Sequence, residues 1–383
     1  MRDAVIIAAV RTPVGKRNGG LSGIHPADLS ALVLGALADR SGIEPACVDD
    51  VVWGCVNQVG EQTFDIGRTA ALSAGWPESV PGTTVDRQCG SSQQAVSFAA
   101  ASVIAGHYDI AVAGGVESMS RIPLGAAQID GMSPLGEEYA RRYGPAFPSQ
   151  GLGAEEIARR WKLDRAAVDA YALRSHARAA AAIGEGRFDA QIHPVARADG
   201  STVDRDEGVR RGGTPESLAN LRPAFLEQGV LTAGTSSQIS DGAAALLLTT
   251  SEIAAKLGQR PIARVHTSVV VGSEPTVMLT GPIPATHKAL RRSGLALDDI
   301  GAFEVNEAFA SVPLAWLAEF AVDPSKVNPL GGAIALGHPL GGSGARIMTT
   351  LVHHMRDNGI RFGLQTMCEG GGQANATILE LLS

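Results

Sequence analysis

The sequence predicts an α/β protein with covered sheets, on three observations. Short runs are almost continuous in apolar and β-branched residues, helical patterns separate them, and one unit of strand, turn, helix, turn and strand occurs twice. A strand that is apolar on both faces needs cover on both, which layered sheets obtain from helices. With 383 residues and 45% hydrophobic content, the chain can bury a large core divided among more than one domain.

Taken in order, "AVIIAAV" reads as a first buried strand and "DDVVWGCV" as the next. The first copy of the repeated unit is "VDRQCGSSQQAVSFAAASVIAGHYDIAVAGG". Its helix, "SSQQAVSFAAASVIAG", has no polar face after the first turn, so it is expected to be buried on all sides. From about residue 118 to 238 the texture changes to Met, Pro, Gly and polar turns around one Ala-rich helix, "DRAAVDAYALRSHARAAAAIGEG". This reads as an insertion laid over the layered core. Strands return in "AALLLTT", "IARVHTSVVV" and "AFEVNEA". The second copy, with a longer turn, is "VNPLGGAIALGHPLGGSGARIMTTLVHHMRDNGIRFGLQTMCEGGG", and "ATILELL" closes the chain.

Composition excludes several function classes. A net charge of -7 argues against general nucleic-acid or membrane-surface binding, which needs a basic face to neutralise phosphates. The four cysteines lie far apart, with no C-x-x-C pair and no His at zinc-ligand spacing, so no metal site is expected. The N-terminal apolar run is too short for a signal segment, and no run is long enough to span a bilayer. A cytoplasmic protein with reduced thiols is therefore expected.

Four motifs carry chemistry. Cys89, in "VDRQCGSSQQA", sits where an apolar helix begins. Unsatisfied N–H groups there favour an anion, and a helix start can lower a thiol pKa from about 8.5 into the range of roughly 3.5 to 7.5. The expectation is a nucleophilic thiolate, whereas Cys47 and Cys55 read as structural. His338 lies in "GGAIALGHPLGGSGAR", where glycines allow close backbone approach; a structural turn and a phosphate loop are the rival readings. Cys368 precedes three glycines in "TMCEGGGQANA", which could aim successive N–H groups at one oxyanion. Asn306 and Glu307, in "FEVNEAFA", stand at a strand end, where an N-cap is the alternative for Asn306.

In this order and at these separations the motifs resemble the thiolases, and the likeness runs from "VIIAAVRTPVGK" through "GGVESMS" to "CEGGGQANATI". The resemblance implies two duplicated βαβαβαββ halves in five layers, α/β/α/β/α, with an inserted loop domain. It divides the chain into an N-terminal half (1–118 with 239–260), a CoA-binding insertion (119–238) and a C-terminal half (261–383). It implies that Cys89 accepts an acyl group from a thioester, that His338 deprotonates it, and that Asn306 fixes a water completing one oxyanion site. Cys368 would move the second proton, and the N–H groups of Cys89 and Gly370 would form the other oxyanion site. The mechanism would be ping-pong through an acyl-enzyme. Coenzyme A would be substrate and product rather than cofactor, and the assembly a homodimer or homotetramer.

The same resemblance places Arg210 at the nucleotide phosphates, Phe225 along the pantetheine, Ser237 near its amides, and Met278 with Phe309 at the acyl end. A solvated charge pair is the alternative for Arg210 with Arg211, and plain core packing for Met278 and Phe309. Ser92, Gln238, Leu279 and Ala374 stand where glycine is common in the family, and Ser149 with Gln150 replace the His-Met pattern of many short-chain members. These departures leave acyl size open. The competing functions are a decarboxylating ketosynthase, against which Cys368 argues, a non-catalytic CoA-binding assembly subunit, and a thiol redox sensor built on Cys89.

Overall fold

The computed structural model describes residues 2–382. The chain begins with β1 (Val5–Arg11), β2 (Gly15–Lys16), α1 (Pro26–Ser41), β3 (Asp50–Gly54), α2 (Ile66–Ser73), β4 (Gly82–Val85), α3 (Ser91–Ala105) and β5 (Ile110–Ser118). The insertion holds α4 (Glu137–Tyr143), α5 (Gln150–Arg160), α6 (Arg165–Gly184), the hairpin of β6 (Val195–Ala196) with β7 (Thr202–Val203), and α7 (Pro215–Ala219). The remainder is β8 (Ser240–Thr249), α8 (Ser251–Lys256), β9 (Ala263–Gly272), α9 (Pro282–Ser293), β10 (Ala302–Val305), α10 (Ser311–Phe320), α11 (Ala333–Leu336), α12 (Ser343–Asn358), β11 (Phe362–Glu369) and β12 (Gln373–Leu381).

Side-chain alternation along β1 explains the layers. Val5, Ile7 and Val10 point into an outer core with α1 and α2, whereas Ile6 and Ala9 point into a middle core containing Ala95, Val96 and Ala99 of α3 and Met348 and Leu351 of α12. A register shift between Ile6 and Ala8 changes the phase of the alternation, so that Ile7 and Ala8 both face the outer core. A third core, with Ala285 and Ala289 of α9 and Trp316 of α10, covers the far face of β9, β10 and β12. Two α/β halves thus share the α3 and α12 layer, giving the five-layer architecture the sequence implied.

The duplication is visible in strand order. The first half runs β4, β3, β5, β8, β1 and the second runs β10, β11, β12, β9, and they meet edge to edge at Val5 with Arg264 and Ile6 with Ala263. In each half the early strands pair in parallel and the last pairs are antiparallel. The counterpart of β4 is reduced in the second half to a single bridge between Phe303 and Val327. The strand expected at the start of the second copy is therefore almost absent, because Asn328, at φ 47°, turns the chain at once.

Two expectations about helices fare differently. The Ala-rich helix is α6, capped by the Asp164 side chain accepting from Ala167 N at 2.8 Å. The helix after Cys89, however, is not enclosed on all sides. Phe98 is 47% and Ile104 45% exposed in this chain. An apolar stripe in a sequence does not say whether its cover comes from the same chain.

Candidate active site

Cys89 sits between β4 and α3, on a turn strained enough to hold Gln88 at φ 48°. Ser91 ties the turn, accepting from Arg87 N at 2.9 Å and donating to Gln88 O at 2.6 Å. Gly90 occupies the N-cap with no side-chain cap, and the turn itself takes the N–H groups of Gly90 and Ser91, which donate to Arg87 O at 3.1 Å and Gln88 O at 3.0 Å. The thiol packs against Ile347 and Met367, with Leu340 beside them.

His338 lies at the end of the turn after α11. Gly337, at φ 105°, reverses the chain there, where a Cβ would lie 2.3 Å from Ser240 Oγ. The backbone N–H of His338 is held by Gln238 O at 3.2 Å and Ser240 Oγ at 3.1 Å. Ser343 Oγ donates to Pro339 O at 2.8 Å, so it accepts from His338 Nδ1–H at 2.6 Å. That bond puts the proton on Nδ1 and leaves the Nε2 lone pair as acceptor for Asn306 Nδ2 at 3.4 Å. Asn306 follows β10 and α10 starts only at Ser311, so the N-cap alternative for Asn306 is excluded.

The helix starts of the two halves bring these turns together. A Cβ on Gly344 would lie 2.3 Å from Gln93 N, so only glycine permits this approach. Ser92, read from sequence as a departure, accepts from Ala345 N at 2.9 Å across the same contact. The buried Glu117 carboxylate anchors the loop, accepting from Gly341 N at 2.9 Å, Val56 N at 3.0 Å and Gln62 Nε2 at 2.7 Å. Glu307, beside Asn306, accepts from Ser175 Oγ at 2.6 Å, Tyr171 Oη at 3.0 Å and Ile334 N at 3.2 Å, joining the insertion to α11. The Gln238 side chain donates to Gly208 O at 2.9 Å and Ile334 O at 2.8 Å.

Cys368, on β11, is fully buried among side chains that include Met278, Phe309, Ile334 and Ile157. Burial raises its thiol well above the ordinary range, and the proximity of Cys89 adds to the rise. Gly370 begins the turn between β11 and β12 against Gln88: a Cβ there would lie 2.9 Å from Gln88 Oε1. Among the described residues, no backbone carbonyl takes the N–H of Cys89 or of Gly370.

Protonation departs from the sequence reading. Burial pushes the Cys89 thiol up to about 12, with Glu369 adding to the rise and its own backbone N–H opposing it. Burial, then the Arg346 guanidinium, lowers His338 to about 3. Burial thus favours the neutral thiol of Cys89 and the neutral imidazole of His338 over the thiolate expected from the sequence. The helix start is outweighed because an enclosed sulfur loses its hydration.

The insertion gathers the remaining candidates. Exposed Arg210 and Arg211 line a cavity of about 450 Å³ with His176, Leu218 and Gly234. Phe225 packs flush on Gly151 and meets Phe309 edge-on at 5.5 Å between centroids. Half-buried Ser237 donates its N–H to Ala308 O at 2.9 Å. Met278 is 2% exposed at φ 45°, and it shares one cluster with Phe309 and Cys368. Core packing and a wall near Cys368 are here the same placement. Sequence reasoning missed Ser343, Gln238 and Glu117, whose partners lie far along the chain. Among the described residues no three His, Cys, Asp or Glu side chains converge to hold a metal ion.

Two buried thiols, an imidazole whose Nε2 carries the lone pair and N–H groups that no backbone carbonyl takes suit the passage of an acyl group through sulfur, which defines an acyltransferase. Comparison with known proteins narrows the class. The model of the thiolase N-terminal domain matches residues 4–252 and that of the thiolase C-terminal domain residues 259–381. The steroid 3-ketoacyl-CoA thiolase FadA6 of Mycobacterium tuberculosis is 51% identical over 100% of this chain and 95% of its own length. The 3-ketoacyl-CoA thiolase of Escherichia coli is 45% identical over 99% of this chain and 100% of its own. The crystal structure of the Bacillus anthracis acetyl-CoA acetyltransferase superposes with a TM-score of 0.92 at 38% identity, covering 100% of this chain and 99% of that one. The chain belongs to the thiolase family.

Proposed function

We propose that this enzyme catalyses CoA-dependent thiolysis of 3-ketoacyl-CoA, and the reverse condensation, through an acyl group on Cys89. The observation that carries the reading is the arrangement of His338: Ser343 holds Nδ1–H, and Nε2 is left to take a proton beside Asn306. The Cys89 proton passes to Nε2 as sulfur attacks the 3-keto carbon, so no resting thiolate is needed. The bond between C2 and C3 breaks, and Cys368 protonates the departing enolate to give acetyl-CoA. The incoming CoA thiol returns a proton to Cys368 and attacks the acyl carbon, and Cys89 leaves as thiolate and regains its proton from His338. The N–H groups of Cys89 and Gly370, which no backbone carbonyl takes, are suited to the thioester oxygen of the enolate.

Coenzyme A is substrate and product in this scheme, and no further cofactor takes part. Arg210 is assigned to its phosphates, Phe225 and Ser237 to the pantetheine, and Met278 with Phe309 to the acyl end. The functional division is 1–118 with 239–260, 119–238 and 261–383. The names of the two curated relatives favour the degradative direction, and the steroid-directed relative makes bulky ring-derived acyl chains the first to assay. Among the described residues no helix is long and apolar enough to cross a membrane. The compartment assigned to the enzyme is the cytoplasm.

Two features support a homo-oligomer, a dimer or a dimer of dimers. Strand β4 pairs only with β3 and leaves its other edge open, and the apolar side chains Phe98 and Ile104 of α3 lie uncovered. Sedimentation measures this directly. The function is tested by thiolysis assays with straight-chain and ring-bearing 3-ketoacyl-CoA esters: CoA-dependent release of acetyl-CoA is expected, and no release from any ester removes the reading.

A further inference from the structure

Glu369 takes no part in that mechanism, yet it is built into the nucleophile's turn. It is the last residue of β11, next to Cys368, and fully buried. A Cβ on Gly90 would lie 1.9 Å from Glu369 Oε1, so the carboxyl lies flush against Gly90 at the start of α3. Asn375 flanks it, with Nδ2 donating to Gly90 O at 3.1 Å. Both carboxyl oxygens of Glu369 are without a hydrogen-bond partner, as are Asn375 Oδ1 and Arg87 Nε. The remaining Arg87 contact, from Nη1 to Gln373 Oε1 at 2.8 Å, draws the guanidinium toward β12.

A buried carboxyl with no partner is costly to ionise, and here it shares one helix start with a sulfur that must become negative during each turnover. The charged or titratable groups facing it are Arg87 and Asp86 from the turn before Cys89, Cys89 itself and Cys368 on its own strand, while β12 offers only amides. Two anions cannot both be accommodated there, so the protons of Glu369 and Cys89 are coupled.

Resting on the reading of Cys89 as nucleophile, we propose that Glu369 is a positioning residue: its carboxyl, wedged against Gly90, governs how readily the Cys89 sulfur carries negative charge. Burial pushes the carboxyl up to about 8, so it stays mostly neutral at neutral pH and begins to oppose the anion above it. The carboxyl exchanges no atom with substrate.

The test follows alkylation of Cys89 by iodoacetamide against pH, with the modified peptide identified by mass. This readout needs no turnover, so it separates failure of this inference from failure of the thiolysis reading. Glu369→Gln keeps the shape and removes the charge. It is expected to lower the apparent pKa of Cys89 by about one unit, a tenfold faster alkylation at a fixed pH above about 8, where the carboxyl of the unmodified enzyme is ionised. Glu369→Asp keeps the charge and should follow the unmodified enzyme. Superimposable profiles for Glu369→Gln and the unmodified enzyme, or equal shifts in both variants, overturn the inference. Should Glu369→Gln not fold, infrared spectra of the unmodified enzyme decide: a protonated-carboxyl band that moves when Cys89 is alkylated supports it, and no responding band overturns it.

Discussion

The two halves of the molecule share a frame and differ where the chemistry is. In the first, β4 feeds directly through residues 86–90 into α3, and that short turn presents one thiol. In the second, the matching strand shrinks to one bridge at Val327, and residues 328–342 form a long loop, with α11 inside it, that delivers His338 to the start of α12. Duplication supplied two equivalent helix starts, packed together through Gly344 and Ser92. The loop that differs between the halves sets a thiol at one helix start and an imidazole ahead of the other.

Breaking the first half's contribution should have the largest effect. Cys89→Ala is expected to abolish acyl-enzyme formation and reduce thiolysis by about 10⁴-fold or more, as loss of a nucleophile does elsewhere. Cys368→Ala, on the second half, should still acylate at Cys89 yet fail to turn over, which single-turnover and steady-state rates distinguish. Ser343→Ala frees the Nδ1 proton of His338 and should lower kcat by about tenfold to a hundredfold, from a lost hydrogen bond of about 1–3 kcal/mol. Little change in KM is expected, because Ser343 holds the base and not the coenzyme.

The contact between the halves can be broken without touching the chemistry. Gly344→Ala forces a methyl against Gln93 N and should cost about 3 kcal/mol, read as a lower urea midpoint. A last prediction concerns pH, where the change per unit is small. Burial raises the Glu304 carboxyl of β10 to about 8, against an ordinary 4.5. Between those values the folded state holds a proton that the unfolded state has lost, so stability is full below about 4.5 and falls as pH rises toward 8. The slope is at most about 1.4 kcal/mol per unit. Glu304→Gln should flatten that decline in urea titrations across the same range.

The apolar strands were legible in the sequence, as was the placing of Cys89, His338 and Cys368 in or next to glycine-bearing turns and of Asn306 after a strand. Three things were not legible. The protonation of Cys89 depends on how completely neighbours from three segments exclude water. Ser343 looks like any helix-start serine until the loop folds His338 back onto it. Gln238, read as a lost glycine, joins Gly208 and Ile334 only in three dimensions.

The central claim is that an acyl group rests on the first half's thiol. Intact-mass and peptide analysis after mixing the enzyme with a 3-ketoacyl-CoA and no free CoA measures it directly. The account predicts one acyl increment located on Cys89 and removed when CoA is added. Turnover through an increment on any other residue, or turnover with none formed under single-turnover conditions, contradicts it.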